Sequence, residues 1–298
     1  MFESIDEVLA QLGQQRYLLG RELATSVFLA GKLGKPLLVE GESGVGKSEL
    51  AAAMSAALDT RLVRLDCHSE MSEADAVYEW NRVAQLLAML GERRGSDASR
   101  RRAVFHETNL IPGPLLEALT ADGEAAPVLL IDRVDLVDSA FEAFLVEFLD
   151  GFRVTIPEFG TITAEREPLV VLTSNRTRGL AEGLKRCCLY TFVGYPPFDA
   201  EFELLVARVP GISRALAGQI CNVVARLRSG GGGEFTRRPG IGETLDWARA
   251  LVALRCVELD GQVMDQTLGC LFKSADDIEL ARQGALAELL APLFDRAG

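Results

Sequence analysis

The feature that most constrains this chain is a glycine-bearing loop between a short apolar strand and a helix. The predicted strand is Pro36–Glu40, and the predicted helix, Ser48–Leu58, is rich in helix-forming residues. Glycines let successive backbone N–H groups curl around phosphate oxygens, and the N-terminus of the following helix adds a favourable dipole. The loop matches the pattern G-x-x-x-x-G-K-[ST] and consists of Gly41, Glu42, Ser43, Gly44, Val45, Gly46, Lys47 and Ser48.

The last two residues of this phosphate loop carry its most specific chemistry. Lys47 is placed to reach the β- and γ-phosphates of ATP, and the Ser48 hydroxyl is placed to ligate Mg²⁺. The alternative is a glycine turn that happens to precede a helix, and the strand–loop–helix context disfavours it. The sequence therefore predicts that the eight loop residues bind a nucleotide.

The pattern of apolar runs predicts the fold class. Short runs that are too apolar to have a wet face alternate with helical spans, which indicates a parallel sheet covered by helices on both sides. We therefore expect an α/β fold, an αβα sandwich around a parallel sheet. The predicted strands are Pro36–Glu40, Leu62–Leu65, Pro127–Asp132 and Glu167–Ser174, and a helix is predicted around Tyr78–Leu90.

The pattern changes after Pro196-Pro197, where no convincing strand follows. Helical periodicity dominates the remainder, interrupted by the glycine run Gly230–Gly233. We therefore predict two domains, a nucleotide-binding αβα domain over 1–195 and a small all-helical lid domain over 196–298. The predicted lid helices are Phe202–Arg208, Ser213–Arg228, Glu243–Glu258 and Asp276–Leu290.

Composition excludes several classes of protein. With 48% hydrophobic residues among 298, the chain has enough apolar sequence to fold, and its net charge of −12 disfavours bulk nucleic acid or an anionic membrane as the main partner. The acidic start resembles no signal peptide, and no apolar run is long enough to span a bilayer. The six cysteines contain no CxxC pair, which suits a reducing cytoplasm.

A second acidic motif follows the third predicted strand. Asp132 ends the run Val128–Asp132, a position that suits a further contact to Mg²⁺, so Ser48 and Asp132 are the predicted metal ligands. A strand-end or helix-capping role is the alternative for Asp132. The next residue is Arg133, which cannot accept a proton at neutral pH and so cannot act as a general base. Asp135 and Glu107 are candidate substitutes.

Three further segments narrow the family. Thr173–Arg176 ends the fourth predicted strand and looks like the motif called sensor 1, and Phe141–Gly160 resembles a helix followed by an inserted hairpin. Leu184–Tyr190 resembles the segment that carries an arginine finger. Together with the phosphate loop and Asp132, these segments resemble the MoxR class of AAA+ ATPases.

Tryptophan-bearing segments indicate a subgroup within that class. Ala76–Asn81, Glu243–Leu251 and Thr267–Gly269 resemble the subgroup similar to the carbon monoxide dehydrogenase maturation ATPase. The resemblance covers nearly the whole chain, although the phosphate loop is common to many nucleotide-binding proteins.

The resemblance implies an AAA+ core with a helical lid, assembled into a ring that is usually a hexamer. Nucleotide would sit between neighbouring subunits, Asn175 would orient the lytic water, and Arg186 would reach a neighbour's nucleotide. Proteins of this class resemble remodelling chaperones that assist metal or cofactor insertion, often with a partner that carries a von Willebrand A domain. The expected client is a metalloenzyme.

Several positions depart from the family pattern. ATP-hydrolysing relatives usually carry a glutamate where this chain has Arg133, and they typically show two consecutive arginines where it has Arg186 and Cys187. Either of the last two positions could be the finger. Gly113 stands where an arginine is expected, and the order of residues around Arg237, Arg238 and Pro239 differs from the usual sensor 2 pattern.

Three hypotheses follow from these observations. The first is an ATP-binding chaperone for metalloenzyme maturation, and the second is a ring subunit that binds nucleotide without useful hydrolysis. A nucleic-acid motor is the third, and it is disfavoured because no aromatic residues interleave with the basic patch Arg93–Arg102. That patch is expected to be a solvated loop. Cys67-His68 and Cys187-Cys188 are expected to be ordinary thiols rather than metal ligands.

Overall fold

The computed structural model describes residues 2–91, 104–123, 125–157, 159–229 and 235–285. The chain divides into two compact units. We call the first, Met1–Gly41 with Lys47–Phe192, the core unit. The second, Glu42–Gly46 with Val193–Gly298, is called the helical unit. The basic patch and the glycine run Gly230–Gly233 lie outside the described residues.

The core unit is built on a five-stranded parallel sheet, which confirms the predicted α/β fold. Its strand order is β2-β5-β8-β1-β9, and parallel registers join β2 to β5, β5 to β8 and β8 to β1. The edge strand β9 was not predicted, although its residues are apolar apart from Thr191, and its side chains alternate in burial. The strands are β1 Leu37–Gly41, β2 Leu62–Asp66, β5 Val128–Asp132, β8 Leu169–Ser174 and β9 Leu189–Val193.

Helices pack against this sheet through apolar faces. In the helix Ser139–Leu149, helical spacing predicts a core face of Phe141, Phe144, Leu145 and Phe148. Phe144 is only partly buried, and the other three are fully buried. The Asp138 side chain caps this helix by accepting from the Phe141 N–H at 2.8 Å. The helices of the core unit are α1 Ile5–Gln14, α2 Arg21–Leu33, α3 Lys47–Ala57, α4 Glu73–Val77, α5 Arg82–Gly91, α6 Pro114–Leu119, α7 Ser139–Leu149 and α8 Glu182–Cys187.

Two small antiparallel sheets complete the core unit. The strands β6 Arg153–Ile156 and β7 Gly160–Thr163 form the hairpin that the family resemblance predicts after α7. The strand β3 Tyr78–Trp80 pairs with β4 Leu110–Pro112, so the helix predicted from Tyr78 was wrong over its first residues and begins at Arg82. Trp80 of β3 packs edge-on against Phe105, with ring centroids 5.3 Å apart, and this tertiary packing overrides the helical pattern.

The helical unit contains no strand in its described part after Pro197, as predicted. The helix α12, Gly261–Leu271, was not predicted, because its two glycines lower helix propensity. Its side chains Met264, Leu268 and Leu271 are nevertheless buried on one face of the helix. α11 ends before the predicted Glu258, and part of the last predicted helix lies outside the described residues. The helices are α9 Phe198–Arg208, α10 Arg214–Arg228, α11 Ile241–Ala253, α12 Gly261–Leu271 and α13 Ala275–Leu280, followed by a π-helical turn over Ala281–Ala285.

A buried polar cluster, the guanidinium cluster, lies inside the helical unit. Arg228 donates from Nη1 and Nη2 to the two carboxylate oxygens of Glu201, at 2.6 and 2.9 Å. Its Nε donates to the Pro239 carbonyl at 2.8 Å, and Nη2 also reaches the Thr244 hydroxyl at 3.2 Å. Both charged side chains are nearly inaccessible, with exposures of 7% and 3%. This bidentate pairing satisfies two charges that would otherwise be costly to bury.

The fully buried Trp247 makes another polar contact inside this unit. Its indole Nε1 donates to the Thr267 hydroxyl at 2.8 Å, which links α11 to α12. Hydrogen bonding of the indole allows so large a side chain to be buried completely. Among the described residues, no helix is both long enough and apolar enough to span a membrane.

Candidate functional site

The candidate site lies at the carboxyl edge of the parallel sheet. The strands β5, β8 and β1 are neighbours and run in the same direction, so their last residues meet at one edge. Asp132 ends β5, Asn175 follows β8, and the phosphate loop follows β1. In open α/β sheets, ligands bind at this edge.

Lys47 begins α3 and is almost completely buried, with 6% of its surface exposed. Its Nζ donates to the Gly41 carbonyl at 2.9 Å and to the Asn175 Oδ1 at 2.6 Å. The ammonium group is therefore held between the end of β1 and the residue after β8. The structure thus brings together two residues that the sequence assigns to the same nucleotide.

Asp132 is the centre of a hydroxyl network. Its Oδ1 accepts from the Ser48 hydroxyl at 2.6 Å and from the Thr173 hydroxyl at 2.5 Å. Thr173 Oγ1 in turn accepts from the backbone N–H of Arg133 at 2.8 Å. We call these three hydrogen-bonded side chains, together with the hydrogen-bonded Lys47 and Asn175, the edge cluster: Lys47, Ser48, Asp132, Thr173 and Asn175.

The second oxygen of Asp132 binds a guanidinium. Arg64, on β2, donates from Nη2 to Asp132 Oδ2 at 2.7 Å and from Nε to Asp66 Oδ1 at 2.8 Å. The register of β2 with β5 places Asp66 opposite Asp132, so a side chain two residues earlier reaches the same carboxylate. Arg64 remains half exposed although Asp132 is buried.

Asp135 holds the residues that follow β8. Its carboxylate accepts from the backbone N–H groups of Asn175 at 3.1 Å and Thr177 at 2.9 Å, and from the Thr177 hydroxyl at 2.7 Å. Burial raises the pKa of Asp135, but these hydrogen bonds outweigh it and hold the pKa below its usual value. The carboxylate therefore orients Asn175 and is committed to backbone contacts.

Two arginines adopt the left-handed backbone conformation beside these acidic and polar groups. Arg133, directly after Asp132, has φ of 59°, and Arg176, directly after Asn175, also has φ of 59°. Residues other than glycine, asparagine and aspartate seldom adopt this backbone conformation. The sharp turns place both exposed arginines at the carboxyl edge, where Arg176 lies 5.0 Å from the Phe192 ring.

The middle of the phosphate loop, Glu42–Gly46, belongs to the helical unit. Within that unit the Ile241 N–H donates to the Gly44 carbonyl at 2.8 Å, and Arg237 Nη2 donates to the Ser43 hydroxyl at 2.8 Å. A Cβ atom on Gly240 would lie 2.9 Å from the Gly44 Cα, so this backbone contact requires glycine. Gly44 and Gly46 have φ of 77° and 91°.

The sequence around this site matches the model of one protein family. The family model for the AAA domain of the dynein-related subfamily matches residues 36–186, which is just over half of the 298-residue chain. The chain belongs to this AAA family. The matched segment contains the core sheet from β1 to β8, together with Lys47, Asp132 and Asn175.

Solved structures of RuvB from Thermotoga maritima are similar to this AAA protein over nearly its whole length. A proline-to-glycine variant of that RuvB is 18% identical, covers 98% of this chain and 85% of its own, and has a TM-score of 0.50. A second structure, described as the RuvB Holliday junction branch migration motor, is 17% identical, with the same coverage and a TM-score of 0.45. At 18% identity and a TM-score of 0.50, the first of these structures supports the fold alone.

The predicted finger segment of the AAA domain lies at the end of α8. Arg186 is exposed, and Cys187 is partly buried, with its thiol 3.3 Å from the Gly183 carbonyl. Arg186 is not among the residues brought into the edge cluster. Burial raises the pKa of the Cys67 and Cys188 thiols to about 12, so both are protonated thiols at neutral pH.

The edge cluster fits a nucleotide better than it fits a metal ion. Lys47 offers a buried ammonium at the N-terminus of α3, which suits phosphate oxygens. Ser48 has an oxygen suitable for Mg²⁺, but Asp132 already accepts from two hydroxyls and one guanidinium. In the described part of the chain, no three His, Cys, Asp or Glu side chains come together as a metal-binding group.

Sequence reasoning missed Arg64 and the bridging role of Thr173. No motif marks Arg64, because its contact with Asp132 depends on β2 being the neighbour of β5. Thr173 was assigned only to the sensor segment. A hydroxyl at the penultimate position of a strand beside an acidic strand end is the one signal that could have indicated its contact with Asp132.

Proposed function

We propose that this AAA protein is an ATP-binding chaperone of the MoxR class that assists the maturation of a metalloenzyme. The observation that carries the nucleotide assignment is the buried Lys47 ammonium, which is held by Asn175 and the Gly41 carbonyl. The maturation role is supported by the resemblance of the tryptophan-bearing segments. We further propose that the chain works in the cytoplasm in a ring, usually hexameric, with a von Willebrand A domain partner.

Within this proposal the eight loop residues bind the phosphates of ATP. Lys47 would exchange its contact with Asn175 for the β- and γ-phosphates, which leaves the Asn175 amide available to the γ-phosphate or a water. Ser48 would hold Mg²⁺, which neutralises phosphate charge when bound, and Asp132 would join it only when Arg64 leaves its carboxylate. Arg186, exposed at the end of α8, would contact the nucleotide of a neighbouring subunit.

Hydrolysis itself is the point at which a second candidate function competes. The turn after Asp132 presents Arg133, and Asp135 is committed to Asn175 and Thr177, so neither supplies a free general base. The side chain of the other substitute candidate, Glu107, lies outside the described residues. A ring subunit that binds nucleotide with little hydrolysis therefore accounts for this geometry.

Nucleotide titrations test the shared part of both candidates. We expect Lys47→Ala to weaken ATP binding by about tenfold to a hundredfold, because a charged hydrogen-bond donor to phosphate is lost. Lys185→Ala, on the exposed face of α8, is the matched control and should leave affinity unchanged. Equal affinities of the natural chain and Lys47→Ala would refute the assigned phosphate site.

Turnover measurements separate the two candidates. If the chain binds without hydrolysing, Arg133→Glu should raise steady-state ATP turnover by about tenfold or more, because a carboxylate can polarise the attacking water. Fast turnover by the natural chain would instead favour the active chaperone. The maturation role requires that cells carrying Lys47→Ala make the metalloenzyme client with an incomplete metal centre, as measured by metal analysis of the purified client.

A further inference from the structure

The contact between Arg64 and Asp132 changes the electrostatics of the proposed nucleotide site. Asp132 is 4% exposed, and each of its carboxylate oxygens has a hydrogen-bond donor. Oδ1 receives two neutral hydroxyls, whereas Oδ2 receives the positive charge of Arg64 at 2.7 Å. The carboxylate is therefore paired with a cationic side chain of the same protein, which it shares with Asp66.

Arg64 is held in this position along one edge of its guanidinium, since Nη2 lies 2.8 Å from Asp66 Oδ1 and 2.7 Å from Asp132 Oδ2. Asp66 accepts from Nε at 2.8 Å and lies on the same face of β2, two residues along the strand. The hydrogen bond to Asp66, partly opposed by burial and helped by the charge of Asp132, raises the pKa of Arg64 above its usual value. The guanidinium is thus oriented toward Asp132 rather than extended into solvent.

An unneutralised carboxylate next to a phosphate-binding loop repels the phosphates of a nucleotide. A divalent cation removes that repulsion by lying between carboxylate and phosphate, which makes nucleotide affinity depend on the cation. A guanidinium at Asp132 reduces the same repulsion without a divalent metal cation. It also competes for Oδ2, the carboxylate oxygen that accepts no hydroxyl in this structure.

We propose that Arg64 takes the place of the divalent cation at Asp132, so that this chain binds nucleotide with little dependence on Mg²⁺. The inference rests on the proposed nucleotide site and specifies how that site is regulated. Arg64 is half exposed, so a cation gains Asp132 when the side chain moves into solvent. Arg64 acts through Asp132 and is a positioning residue.

The test is the affinity for a fluorescent ADP analogue, measured with saturating Mg²⁺ and with excess EDTA. The natural chain is compared with Arg64→Gln, which removes the charge, and with Arg64→Lys, which keeps it. Arg61→Gln is the matched control, since Arg61 immediately precedes the same strand but pairs with Glu117 at the surface. Thermal melts of all four proteins show whether each is folded.

We expect EDTA to weaken binding to the natural chain by about threefold or less, and binding to Arg64→Gln by about tenfold or more. Arg64→Lys should fall between these two, and Arg61→Gln should match the natural chain. Equal cation dependence in the natural chain and Arg64→Gln would overturn the role of Arg64 alone. Absence of binding by the folded natural chain in both buffers would overturn the nucleotide site itself.

Discussion

The two units each bury a polar cluster, and the clusters differ in how completely they are closed. In the guanidinium cluster, Arg228 and Glu201 satisfy each other directly, and both are withdrawn from solvent. In the edge cluster, Asp132 is just as buried, but the guanidinium that pairs with it is half exposed. We expect the first cluster to support the fold, and the second to exchange contacts when a ligand binds.

The largest loss of stability should come from removing the cation of the guanidinium cluster. Arg228→Met leaves the Glu201 carboxylate buried without its cation, so we expect a loss of about 3–5 kcal/mol in the free energy of unfolding of the helical unit. Urea unfolding followed by hydrogen exchange in α9 and α10 measures it. Arg249→Ala breaks an exposed pair with Asp246 and should change stability by less than about 1 kcal/mol. Equal effects of the two variants would contradict the contrast.

A smaller loss of stability should follow removal of the hydrogen bond between Trp247 and Thr267 in the helical unit. Thr267→Val leaves the indole N–H of Trp247 buried without an acceptor, which should cost about 1–3 kcal/mol. Urea unfolding monitored by tryptophan fluorescence measures this loss. Thr267→Ser retains the hydroxyl and serves as the control. A Thr267→Val protein as stable as its serine counterpart would show that the hydrogen bond contributes nothing.

Breaking the edge cluster should cost less than breaking the closed one. Asp132→Asn keeps an oxygen for Ser48 and Thr173, and Arg64 can turn into solvent, so we expect a loss of about 1 kcal/mol in the core unit. Hydrogen exchange of β5 and β8 measures it. A loss as large as that of Arg228→Met would mean that both clusters are structural.

The smallest predicted effect is the change in the stability of the core unit with pH. The folded pKa of Asp135 lies below its unfolded value, so its contribution to stability is fully present above about pH 4. That contribution is lost as the pH falls through the lowered folded pKa, and we expect less than about 1 kcal/mol. Acid titration of core-unit hydrogen exchange measures the decline, and Asp135→Asn should flatten it. An unchanged slope in that variant would assign the acid sensitivity to other groups.

Local patterns in the sequence predicted much of the fold because those patterns report burial. Four apolar runs predicted four strands of the main sheet, and the helical spacing of Phe141, Leu145 and Phe148 predicted a buried face. The strand β9 and the glycine-containing α12 were missed, because their formation depends on neighbours that a local pattern does not identify. The same limit explains Tyr78–Trp80, which pairs with a segment thirty residues further along the chain.

The candidate site was predictable only where one short motif carries it. The positions of Lys47, Ser48 and Asp132 follow from motifs, and parallel strands bring their ends together. The neighbours of Asp132 from other strands, Arg64 and Thr173, become visible only through strand order and register. Charge balance at the site therefore depended on topology rather than on any motif.

At the left-handed turns of Arg133 and Arg176, we expect stability and function to favour different residues. Glycine would relax either backbone position by up to about 1 kcal/mol, so selection for stability alone would replace both arginines. Selection for nucleotide binding is expected to retain both arginines, because their guanidinium groups lie at the edge of the sheet where we propose that nucleotide binds. A library varied at these two positions and sorted once for heat resistance and once for nucleotide binding would then enrich different residues.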